Sequence, residues 1–102
     1  MHSTEKQVKE LLLNASQSLN FLRVVIDDLL LKRDTLAINS LTRLTAAQEN
    51  YKKHKAVLIN IEKLISEKQY PLPERLANAI TKSLRKRISL IIEESIELDK
   101  ER

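Results

Sequence analysis

The chain of 102 residues contains no glycine, no cysteine and no tryptophan. It has only two prolines, Pro71 and Pro73, and three other aromatics, Phe21, Tyr51 and Tyr70. Each shortage excludes something. A β-rich fold needs glycine at tight turns, where positive φ is costly for any residue with a Cβ. Without cysteine there are no disulfides and no thiolate metal sites. His2 and His54 are the only histidines. Metal binding needs His, Cys or carboxylates in clusters, so no metal and no cofactor is expected. No glycine-rich phosphate loop is present, and no glycine elbow presents a nucleophilic serine. Long apolar runs are missing too. Stretches such as Leu11–Leu13, Leu29–Leu31 and Leu90–Ile92 fall far short of the ~20 residues of a membrane-spanning helix.

What remains is a chain in which 42% of residues are apolar, too many for a disordered segment. Leu, Lys, Glu, Ala and Ile dominate, and these favour helix. The length suits one domain, residues 1–102. Eighteen Lys and Arg against fourteen Asp and Glu leave a net charge of +4. That mild excess permits an anionic partner without demanding one. The start, MHSTEKQVKE, is polar and mixed in charge, unlike a signal peptide, and a cytoplasmic location is expected.

Apolar spacing sets the architecture. Val8, Leu12, Ala15, Leu19, Leu22, Ile26 and Leu29 step alternately by four and three, which draws a seam along one helix face. Thr4 with Gln7 fits a capping box at its start, and Asp34 or Thr35 can cap the next helix. Leu44, Ala47, Tyr51, His54, Leu58, Ile61 and Ile65 repeat the same steps. Proline disfavours helix at the residue before it, so Tyr70 and Leu72 are expected to be extended. Pro73 suits the first turn of a third helix, with Glu74 favourable at its positive end. That helix carries Ala77, Ile80, Leu84, Ile88, Ile91 and Leu98, with Ser95 interrupting the stripe. The fold expected is all-α, an antiparallel up-down-up bundle of three long helices. Breaks near residues 14–16 or 47–50 would give four shorter helices instead.

Two surfaces invite a functional reading. The third helix is apolar over a wider arc than one seam requires, so Ile88, Ile91, Ile92 and Ile96 are candidates for contact with a partner or a second copy. Folding the second and third helices back about residues 70–72 sets Lys52–Lys55 level with residues 86–90. Lys52, Lys53, Lys55, Lys82, Arg85, Lys86 and Arg87 then form a positive belt, a candidate anion site. The same register puts the acidic stretch 93–101 beside residues 41–49 and Asp27–Asp28. The belt spreads over two helices as a ring, and no aromatic interleaves with it as single-strand stacking wants. A solvated lysine-rich face is the simpler reading of it. His54, on the apolar stripe, reads as a partly buried structural histidine. Asp27–Asp28 and Glu93–Glu94 are sequence neighbours that diverge by about 100° on a helix, and read as solvated. No constellation points to catalysis.

The stretch LNFLRVVIDDLLLKRDTLAINSLTRLTAAQENYKKHKAVLINIEKL resembles flagellar and type III export chaperones of the FlgN kind. Asp28, Leu29, Asp34, Leu41, Leu44, Lys52 and Leu58 fall on that pattern, and the proline break before a third helix extends it across nearly the whole chain. The chain departs from that family in its basic balance and in ending soon after the third helix, where the family carries further substrate-binding sequence. The resemblance implies a protein without catalytic residues that holds helical or unfolded export substrates on apolar helix faces. A second stretch, INSLTRL followed by YKKHK, is similar to small helical bacteriocin immunity proteins. The functional expectation is a non-enzymatic, cytoplasmic helical interaction module of the secretion-chaperone type. The alternatives are a bacteriocin immunity protein and a basic nucleic-acid-binding helical protein.

Overall fold

The computed structural model describes residues 2–67 and 72–102, with side chains from Glu5 onward. Three helices make up almost all of it: α1 (His2–Leu31), α2 (Ile38–Glu67) and α3 (Glu74–Asp99). No strand occurs among the described residues. The protein is an all-α bundle of three long helices. α1 and α2 each run unbroken for 30 residues, so the four-helix alternative does not form. Among the described residues no helix is long and apolar enough to cross a membrane.

Polar contacts fix the directions. Arg43 in α2 reaches Glu101, just beyond α3, at 3.0 Å, and Arg102 reaches Asp28 near the end of α1 at 2.6 Å. α1 and α3 therefore run parallel, and α2 runs antiparallel to both. The α1–α3 interface is the most extensive and the α2–α3 interface the least. The result is a rod of 52 × 20 × 15 Å.

The expected caps shift by a few residues. α1 already runs from His2, so Thr4 does not begin it. Residues Arg33–Thr35 form a 3-10 turn that tightens the exit from α1, and Thr35 Oγ1 donates to the Lys32 carbonyl at 2.7 Å. Leu36 then takes an extended conformation and packs against the core. Burying Leu36 moves the start of α2 to Ile38, where the Leu41 N–H donates to the Ala37 carbonyl at 3.0 Å. Neither Asp34 nor Thr35 caps α2. Pro73, with ψ of 140°, stands just before α3 rather than inside its first turn. Its carbonyl accepts the Ala77 N–H at 2.9 Å. Leu72 is non-helical as expected, whereas Tyr70 lies outside the described residues.

The core follows the stepping pattern. Val8, Leu12, Ala15, Leu19, Leu22, Ile26 and Leu29 are all buried on α1. α3 contributes Ala77, Ile80, Leu84, Ile91 and Leu98. Ser95 is buried between them and satisfies its hydroxyl on the Ile91 carbonyl at 2.7 Å. The stripe therefore passes through Ser95 as a small residue. α2 adds fewer buried side chains: Leu44, Ala47, His54 and Leu58.

Candidate functional site

The apolar width of α3 divides into a buried centre and two exposed edges. Ile91 is 0% exposed, a core residue, and Ile88 is half-buried against the core. The expectation that Ile88 and Ile91 face a partner is corrected by this packing, because α1 already covers that side of α3. Ile92 and Ile96 remain exposed, at 42% and 54%. Each stands two positions from Glu94, so each points about 160° away from it round the helix. Glu94 faces α2 through Asn50, so Ile92 and Ile96 lie on the opposite flank.

α1 contributes to the same flank. Its Ser16, Asn20 and Arg23 border α2 beside Tyr51 and Leu58. Phe21, two positions from Arg23, points about 160° from it. The Asp28–Arg102 pair sets the parallel register and brings Phe21 level with the turn between Ile92 and Ile96. Phe21 is 44% exposed, and Val24, 40% exposed, stands between Phe21 and Asn20 on the outer side of α1. An apolar face thus crosses α1 and α3 on the side away from α2. The sequence suggested only its α3 half. Phe21 lies off the α1 seam, and its place became legible only with the parallel register.

The other edge of α3 opens on a cleft of about 620 Å³ between α2 and α3. Ala46, Ala47, Leu90 and Leu98 give it an apolar lining, and Arg43, Lys53, Glu93 and Glu97 border it. Two polar pairs cross it. Arg87 Nη1 lies 2.9 Å from His54 Nδ1, and Asn50 Nδ2 donates to Glu94 Oε2 at 2.6 Å. A guanidinium only donates, so His54 Nδ1 accepts and the ring proton of the neutral imidazole sits on Nε2. Burial, and then the Arg87 charge, push the His54 pKa below its ordinary value. Burial pushes the Glu94 carboxyl up, partly offset by the bond from Asn50. The reading of Glu94 as solvated is corrected: α2 covers it. His54 is buried, at 8% exposed, and meets Arg87 across the cleft.

The basic residues do not converge. Lys52 pairs with Glu49 at 3.7 Å, and Lys53 borders the α2–α3 cleft. Lys55 turns towards α1 and stands 6.0 Å from the Tyr51 ring centre. Lys82, Arg85 and Lys86 are exposed on α3, while Arg87 turns inward to His54. They form a dispersed ring, with no single face that could follow a phosphate backbone. The sequence register itself holds, since residue 54 meets residue 87 and residue 43 meets residue 101.

Comparison with protein families, curated proteins and solved structures finds no match for this chain.

Proposed function

We propose that this chain is a non-enzymatic helical interaction module that docks an amphipathic helix of a partner protein across α1 and α3, on the face away from α2. The observation that carries the reading is the run of Phe21, Val24, Ile92 and Ile96, each at least 40% exposed. Contiguous apolar surface of this kind costs solvation unless something covers it. Two parallel helices with exposed apolar side chains suit a helix laid along them, read at positions i, i+3, i+4 and i+7. The partner would complete a four-helix cross-section. The resemblance to export chaperones makes a secretion substrate the partner class proposed, and it makes the cytoplasm the compartment.

A photo-crosslinking residue at position 92, used in cells of the source organism, tests this. The expected outcome is covalent capture of a second protein through a helical peptide, lost when Phe21→Glu is added. Circular dichroism of Ile92→Glu should show unchanged helix content, because a glutamate on an uncovered surface costs little in the free protein. Capture of a second copy alone would replace the partner with self-association. Capture no stronger than from position 52, exposed on α2, or collapse of Ile92→Glu, would overturn the proposal.

A further inference from the structure

The α2–α3 cleft lies on the flank opposite the proposed docking face and has its own chemistry. Its volume, about 620 Å³, falls among small-ligand sites rather than protein interfaces. Two charged groups of α3 are held across it in the same way. Arg87 is pinned through Nη1 by His54, and Glu94 is pinned through Oε2 by Asn50. In each, a second polar atom is buried without a hydrogen-bond partner among the described residues: Arg87 Nε and Glu94 Oε1. Neither atom is reachable from the cleft, which Arg87 and Glu94 line with the rest of their side chains. One is a donor and the other an acceptor. They stand seven positions apart on one helix flank, or about 10 Å along the axis. Leu90 and Leu98 supply the apolar wall, and Ala47 in α2 keeps the opposite wall low. Lys53 adds positive charge at the Arg87 end, and Glu93 and Glu97 add negative charge at the other.

We propose that this cleft binds a small amphiphilic zwitterion, its carboxylate at Arg87 and Lys53, its ammonium at Glu94, and its hydrocarbon chain against Leu90 and Leu98. Charge-assisted bonds at both ends orient the ligand, and the chain excludes water between them. The proposal is independent of the docking face, since no residue is shared.

The probe is 8-aminooctanoate, whose end groups span roughly the distance between the two α3 side chains. Octanoate and octylamine, carrying one charge each, are the comparisons. In a titration followed by amide and methyl NMR, the zwitterion should bind about tenfold more tightly than either, as expected for one additional charge-assisted bond. Shifts should concentrate on Ala47, Leu90 and Leu98. Glu94→Gln should abolish the preference for the zwitterion over octanoate. Equal affinity for all three ligands, shifts located elsewhere, or a Glu94→Gln variant that still prefers the zwitterion would each overturn the proposal. The three-ligand comparison on the unaltered protein decides it even if a variant misfolds.

Discussion

Ser95 interrupts the apolar rhythm of α3, yet its side chain is almost fully enclosed. Its hydroxyl bonds to the Ile91 carbonyl within the same helix, so it enters the core without an unsatisfied group. Its small volume lets α1 and α3 approach closely. Ser95→Ala should therefore change stability by less than about 1 kcal/mol. Ser95→Leu should destabilise by about 1–3 kcal/mol through overpacking, and urea unfolding of both variants checks this. His54 and Glu94 give stability a pH dependence of opposite signs. The His54 pKa is lowered from its ordinary 6.5, so just below that pH the unfolded chain binds the extra proton and stability falls as the pH falls. The Glu94 pKa is raised above 4.5, so the native state binds the extra proton in that window and stability rises as the pH falls through it. Arg87, Lys53, Asn50 and Glu93 are the charged and polar groups around them. His54→Gln should remove the loss of urea midpoint that sets in as the pH falls below about 6.5, leaving the Glu94 gain as the pH falls towards 4.5. An identical midpoint–pH curve in the variant would show that His54 does not titrate on unfolding.

Among the elements, α2 stands apart. Its seam, Leu44 to Ile65, reads in the sequence as regularly as that of α1. Yet α1 buries its seam completely, while Tyr51, Ile61 and Ile65 of α2 stay partly open. Periodicity reports which face turns inward; it carries no information on how closely that face is approached. Ala15, Ala77 and Ser95, all enclosed, draw α1 and α3 together and leave α2 on their shoulder. Helix number, direction and register were legible for this reason, and the α2–α3 cleft was not. The same limit explains Arg87: the register set it level with His54, but only packing turns it inward. Leu22→Ala should accordingly cost about 2–5 kcal/mol, as for core leucines generally. Leu44→Ala in α2 should cost less than Leu22→Ala, because α2 packs less extensively on its neighbours than α1 and α3 do on each other. Charge reversal on the outward faces, Lys53→Glu or Lys86→Glu, should move stability by less than about 0.5 kcal/mol each. Parallel denaturant titrations rank all four.

At the scale of the molecule, the accessible surface is 7056 Å², against about 5,900 Å² expected for a compact monomer of this mass. The radius of gyration, 16.0 Å, likewise exceeds the ~13 Å of a compact chain of this length. A thin rod cannot hide all of its apolar residues, which is why two faces of α3 stay open. Its positive charges are distributed round the circumference, and generic DNA or RNA should bind no better than roughly 10⁻⁵ M at ~0.15 M salt. Fluorescence anisotropy across a salt series measures this. Sub-micromolar binding that vanishes in the Lys53→Glu, Lys86→Glu double variant would favour a nucleic-acid role. The parallel α1–α3 pairing has one more consequence, for biosynthesis. Asp28 and Arg102 meet across 74 positions of chain, and the largest interface joins the first helix to the last. During translation the Val8–Leu29 stripe emerges well before α3, its main cover. The nascent chain therefore travels with an open apolar strip until α3 has emerged.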